Sequence, residues 1–143
     1  MEDYKRRLMW HGMLLFLLGL ITGLLETQFK NTRMGLAAHL EGVMNGTFVL
    51  ALGAAWGELK LSPPLKTAAY WTTLLGTYGN WATTNLAAIF GTAALSPITG
   101  AGFGGSFWQE KMVTLCFVGV GLTIIAAAFL LLLGFRRASV RSA

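Results

Sequence analysis

Four stretches of this 143-residue chain are each long and apolar enough to cross a hydrocarbon core, at roughly 8–25, 36–56, 65–90 and 108–135. A bilayer core of ~30 Å takes ~20 helical residues. Lipid supplies no hydrogen-bond partner to the backbone, so each run must close its own bonds as a helix. The expected fold is therefore all-α: an integral membrane four-helix bundle forming one domain over residues 1–143. Hydrophobic residues make up 55% of the chain and charged ones only 12%, a balance that excludes a soluble domain of this size. The first run follows Lys5-Arg6-Arg7 as a secretory signal would. It is too long for one, however, and Glu26-Thr27-Gln28 stands where a small-residue cleavage site belongs, so it reads as a retained helix.

Cationic residues set the expected orientation. Lys5, Arg6, Arg7, Lys60, Lys66, Arg136, Arg137 and Arg141 fall on one side of a four-helix serpentine, and Lys30, Arg33 and Lys111 on the other. That asymmetry puts both termini in the cytoplasm. These cations flank apolar runs and build no basic module, so the net charge of +5 carries no nucleic-acid reading. Tyr4, Trp10, Trp56, Tyr70, Trp71, Phe107 and Trp108 fall near the expected interfaces. The single cysteine, Cys116, rules out an intrachain disulfide. Ser62-Pro63-Pro64 ends the second helix before the third begins. The third connection, GTAALSPITGAGFGGSFWQ, is longer and glycine-rich, with the length to fold back over the bundle as a lid.

Gly19-x-x-x-Gly23, Gly42-x-x-x-Gly46 and Gly53-x-x-x-Gly57 each let another backbone approach closely. Four helices enclose little interior, and the three pairs together point to a homo-oligomer. The second helix also carries polar groups in MGLAAHLEGVMNG, residues 34–46. Ionisable side chains inside a span cost roughly 2.5–3.5 kcal/mol on insertion scales, which makes each a functional candidate. His39 shares a helix face with Gly35, Gly42 and Gly46, a stripe that suits either a neighbouring helix or a flat, rigid cofactor bound by the imidazole. A porphyrin needs only one such ligand from the protein, whereas zinc wants three or four. Asn45 lies about 120° around the helix from His39. On the third helix Thr73, Thr77, Asn80 and Thr84 form a polar seam, with Tyr70 in register above and Asn85 adding a second amide. Asn45 and Asn80 together would make a polar pocket in an oily wall. Glu41 is expected to face water or to pair with Lys30 or Arg33, and His11 to hydrogen-bond without ligating a metal. No phosphate-binding loop, dinucleotide fingerprint, nucleophile elbow or HExxH motif is present.

The segments WHGMLLFLLGLITG, NTRMGLAAHLEGVMNGTFVLALGAAW and GTAALSPITGAG resemble the hydroxylaminobenzene mutase family, small bacterial membrane proteins of nitroaromatic degradation. More distantly, the His-Gly pair of helix one, the His-x5-Asn of helix two and the aromatic-and-Asn segment of helix three are similar to styrene oxide isomerase. The resemblance implies a multi-pass isomerase of the bacterial cytoplasmic membrane that turns a small aromatic hydroxylamine into a 2-aminophenol. It implies a homotrimer with ferric haem b at the subunit interface and His39 as iron ligand, beside Gly35, Gly42 and Gly46. Asn45, Asn80 and Thr84 fall on its active-site positions. Thr84 stands where styrene oxide isomerase has a substrate-contacting tyrosine, a departure that suits an arylhydroxylamine in place of an aryl epoxide. Two other readings stay open: an aryl epoxide isomerase, and a non-catalytic haem-binding membrane subunit.

Overall fold

The computed structural model describes residues 2–136, so Arg137 and Arg141 of the orientation argument lie outside the described residues. Four long helices account for the architecture: α1 (Glu2–Leu25), α2 (Thr32–Ala55), α3 (Pro63–Phe90) and α4 (Phe107–Arg136). Single 3-10 turns, Glu26–Gln28 and Trp56–Glu58, finish α1 and α2. Each helix starts where its end groups can be satisfied. The Asn31 side chain accepts from Met34 N at 3.1 Å and caps α2, which begins at Thr32, four residues before the expected start. Pro63 and Pro64 open α3, where a missing N–H costs nothing. Gly91 closes α3 at a φ of 69°, a left-handed conformation that favours glycine. Lys5, Arg6 and Arg7 prove to be helical, which lengthens α1 by six residues over the apolar run.

Three of the helices are long and apolar enough to cross a membrane: Asp3–Gln28, Thr32–Glu58 and Phe107–Arg136. α3 has the length, at 28 residues, but its threonines and asparagines lower its apolar content. Of the four expected spans, three meet the apolar requirement by length and composition, and α3 is a long helix with a polar face.

α1 and α2 touch almost backbone to backbone. A Cβ placed on Gly19 would lie 2.5 Å from Val43 N, and one on Gly12 would lie 2.5 Å from Leu50 N. Gly42 lies against Gly19, Gly46 against Phe16 and Gly12, and Gly53 against Met9 and Leu8. Gly57 faces open space. The glycine spacing therefore serves contact inside one chain, and it is no argument for association between copies. Small-residue contact of this kind is a main source of helix association where lipid offers no hydrophobic drive.

Two apolar clusters sit at opposite ends of the bundle. One joins Leu8, Val49, Leu52, Trp56, Leu59, Ala69, Tyr70, Leu74 and Leu131; the other joins Met34, Ala87, Ala88 and Val113. Trp56 and Tyr70, expected at an interface, are instead buried within the first cluster, where Tyr70 packs on Tyr4 at 4.8 Å between ring centroids. The long α3–α4 connection is tied to the α1–α2 turn. Lys30 Nζ donates to the carbonyls of Phe90 and Gly104, Asn31 Nδ2 to Thr99 O, and Arg33 to Ala101 O. From the other side, the Glu110 carboxylate accepts from the backbone N–H groups of Ala93, Ala94 and Gly105.

Gly42→Leu is expected to lower the stability of the purified protein by about 1–3 kcal/mol or more through overpacking against Gly19. Gly57→Ala should leave the thermal unfolding midpoint in detergent unchanged. Equal midpoints for the two variants would contradict the close α1–α2 contact.

Candidate functional site

The two apolar clusters leave the middle of the α2–α3 contact between them, and the polar side chains gather there. Glu41, ten residues into α2, points at α3. Its Oε2 accepts from the Thr84 hydroxyl at 2.6 Å, and the Asn80 side chain lies close to the same carboxylate. Thr84 is buried at 1% exposure, and its single hydroxyl proton is shared between Glu41 and Asn80 O, one turn earlier on its own helix. Asn45, one turn after Glu41, donates from Nδ2 to Thr77 O at 3.3 Å. Thr77 in turn bonds Thr73 O. Helical spacing explains the assembly: Glu41 and Asn45 are four apart on α2, while Thr77, Asn80 and Thr84 follow 3 and 4 on α3.

Glu41 is the main correction to the sequence reading. Neither Lys30 nor Arg33 meets it, because both are engaged on carbonyls of the α3–α4 connection. The carboxylate is half-buried in the seam, against two of the three residues expected to act on substrate. A glutamate amid hydroxyls and amides, in a span otherwise apolar, is the signal that marks it in the sequence. Asn85 contributes no second amide to the seam; it donates to Trp81 O on its own helix.

His39 lies elsewhere. Its Nδ1 sits 2.8 Å from Gly19 O on α1, and the ring rests over Gly23, where a Cβ would meet Nδ1 at 2.6 Å. A carbonyl only accepts, so Nδ1 carries the proton and Nε2 keeps its lone pair free. A backbone carbonyl holding one ring nitrogen is the usual outer support of a metal-binding histidine. Gly19 and Gly23 are thus part of the imidazole's setting, and sequence spacing on α2 alone did not reveal them. The flat clearing expected beside His39 from Gly35, Gly42 and Gly46 is filled. Gly35 is closed over by Phe29 and Glu26, and Gly42 and Gly46 by α1. Among the described residues no group of three or more His, Cys, Asp or Glu side chains could hold a metal ion, so an imidazole-bound cofactor would bring its remaining donors with it.

On one chain the expected site is therefore divided. His39 faces α1, while Asn45, Asn80 and Thr84 belong to the α2–α3 seam. At 100° per residue, Glu41 and His39 lie on nearly opposite sides of α2. Trp81 ties the two regions: its Nε1 donates to Thr22 Oγ1 on α1 at 3.1 Å, and its ring packs beside Gly42. His11 does hydrogen-bond, to the Tyr78 hydroxyl at 3.2 Å, in an apolar groove of ≈ 610 Å³ between α1 and α3 that Trp10, Trp71 and Leu75 also line. Tyr78 is two residues from Asn80, so this groove opens away from the seam.

Against known proteins, the model of the styrene oxide isomerase family matches residues 4–136. The chain is 41% identical over 137 residues to hydroxylaminobenzene mutase HabB of Ectopseudomonas oleovorans, covering 95% of this chain and 84% of that protein. It is 39% identical over 127 residues to hydroxylaminobenzene mutase HabA of the same organism, covering 88% and 94% respectively. No solved structure matches.

Thr84→Val removes a donor to a carboxylate and should destabilise the protein by about 1.5–3 kcal/mol, the range for hydrogen bonds to charged groups. Thr47→Val removes only an exposed hydroxyl bonded to its own helix at Val43 O, so its unfolding midpoint should match the unaltered protein. Equal stability of both variants in a detergent melt would argue against the Glu41–Thr84 bond.

Proposed function

The chain belongs to the styrene oxide isomerase family, and from that premise we propose that it is a membrane isomerase that rearranges an arylhydroxylamine to a 2-aminophenol. Likeness over almost its whole length to two proteins named for hydroxylaminobenzene carries the reading of the substrate. The reaction moves oxygen from nitrogen to the neighbouring ring carbon with no net redox change. It needs a weakened N–O bond, a held aromatic ring and a dry site.

The cofactor of this reading is ferric haem b, with His39 as its protein ligand. The donor chemistry fits: Nδ1 is committed to Gly19 O, which leaves Nε2 basic and oriented. When bound, the haem supplies Lewis acidity toward the hydroxylamine oxygen. Gly42 and Gly46 act through α1, since their lack of side chains lets α1 support the imidazole, while Gly35 makes room for Glu26 and Phe29 of the α1–α2 turn. The seam does the rest. The Asn45 and Asn80 amides orient the substrate's nitrogen and oxygen and stabilise charge as it develops, and Thr84 fixes the hydrogen-bond pattern around them. The apolar clusters on either side keep out water, which would otherwise capture the cationic ring at the position opposite nitrogen.

A homotrimer with the cofactor between copies is the assembly this reading calls for, because one chain holds His39 and the seam on different faces. Exposed apolar residues such as Leu17, Leu20, Leu122, Ile125 and Phe129 offer surface for lipid and for neighbouring copies. α3 serves as a fourth span shielded by the others, with both termini in the cytoplasm of a bacterium and the chain in its inner membrane.

Membranes carrying the protein are expected to convert phenylhydroxylamine to 2-aminophenol, and the purified protein to show a Soret band that His39→Ala abolishes together with the activity. Formation of phenylacetaldehyde from styrene oxide, with no 2-aminophenol from phenylhydroxylamine, would replace this reading by the epoxide isomerase. A purified, active protein without a Soret band would remove haem from the mechanism.

A further inference from the structure

The rearrangement proposed above leaves one atom transfer without an agent. The N–O bond breaks and a C–O bond forms at the ortho carbon. That carbon must then lose its proton, and the nitrogen, which begins with one hydrogen, must gain one. No electron is gained or lost overall, and a single proton moves from carbon to nitrogen. A group that accepts and then returns a proton is needed within reach of both atoms.

We propose that Glu41 is this proton carrier, the acid–base residue of the α2–α3 seam. Six carboxylate side chains occur in the chain: Glu2, Asp3, Glu26, Glu41, Glu58 and Glu110. All except Glu41 fall at helix ends or in the turns beside them. Asp3 lies 3.8 Å from Arg7, and Glu110 is engaged on three backbone N–H groups of the α3–α4 connection. Glu41 alone stands in mid-span, against Thr84 and Asn80 and one turn from Asn45. An ionised carboxylate offers about four lone-pair sites. Thr84 occupies one, which leaves acceptor capacity for a substrate proton. The side chain is also only half-buried, so it is reachable.

The remaining titratable groups are worse placed. His11 is bonded to Tyr78 in the groove that opens away from the seam. His39 Nδ1 is held by Gly19 O. The Tyr70 hydroxyl is sealed in the apolar cluster with no hydrogen-bond partner. The hydrogen bond from Thr84 gives Glu41 a fixed direction. Thr84 thus positions the base as well as the substrate, and a threonine at position 84 has the size to donate to Glu41 without filling the seam.

This inference rests on the arylhydroxylamine reading, and one experiment separates the two. The unaltered protein, Glu41→Gln and Glu41→Asp are each assayed in membranes with phenylhydroxylamine and with its 2,6-dideuterated form. Heat stability and the visible spectrum are recorded alongside. Glu41→Gln keeps the shape and one acceptor but cannot carry the proton. Its kcat should fall about 10²–10⁴-fold, the usual contribution of a positioned acid–base group. Its residual reaction should show a larger ring-deuterium effect than the unaltered protein, because proton loss from carbon becomes limiting. Glu41→Asp should recover most of the lost rate. If Glu41→Gln does not fold, a raised deuterium effect in Glu41→Asp supports the proposal and an unchanged one overturns it. A loss of rate with an unchanged deuterium effect would make Glu41 a structural clasp between α2 and α3, and rate within tenfold of the unaltered protein would overturn the proposal outright. Absence of 2-aminophenol from the unaltered protein would overturn the functional reading itself, and this inference with it.

Discussion

The close approach of α1 and α2 through Gly12, Gly19, Gly42 and Gly46 governs everything else in the bundle. Lipid tails are as apolar as leucine, so burial of oily side chains does not drive two helices together inside a membrane. Backbone proximity does, and glycine is what permits it. Once α1 lies in the groove of α2, the rotation of α2 about its axis is set. The imidazole of His39 then comes to rest over Gly23 with Nδ1 on Gly19 O, and Glu41 and Asn45 turn to the opposite side.

That rotation makes the polar seam possible. α3 meets the side of α2 that α1 does not cover, and it brings threonines and asparagines at helical spacing. Thr77 and Thr84 bond on their own helix, Thr84 and Asn45 reach the facing one, and the buried Thr73 hydroxyl is left without a partner. Glu41, Thr84 and Asn80 form one group, and Asn45 with Thr77 a second one turn away, between two apolar clusters. A polar group without a partner is expensive in an apolar setting, so such a set holds α2 and α3 in a definite relation as well as offering chemistry.

The α3–α4 connection stabilises one end of the arrangement. It is hydrogen-bonded from below by Lys30, Asn31 and Arg33 and from α4 by Glu110, so its glycines do not leave it loose. The same Asn31 caps α2 and donates its backbone N–H to Ala88 O on α3. One asparagine therefore joins a helix start, a helix end and a loop.

Much was legible from the sequence because it depends on local pattern. Apolar runs long enough for lipid dictate helices, Pro63 and Gly91 mark where α3 can begin and end, and a glycine stripe announces close packing. His39, Asn45, Asn80 and Thr84 stand out because polar groups are scarce in such runs, and the family resemblance follows from the same segments. What the stripe packs against was not legible, since spacing is the same for a partner helix, a second copy or a flat ligand. Only the fold assigns it to α1 and so divides His39 from the seam. The role of Glu41 was hidden for a related reason. Its nearest charges in sequence are Arg33 and Lys30, but α2 is rigid and those cations are drawn to carbonyls in the α3–α4 connection. Contacts made 43 residues away, from Thr84 to Glu41, exist only when α3 has folded back along α2.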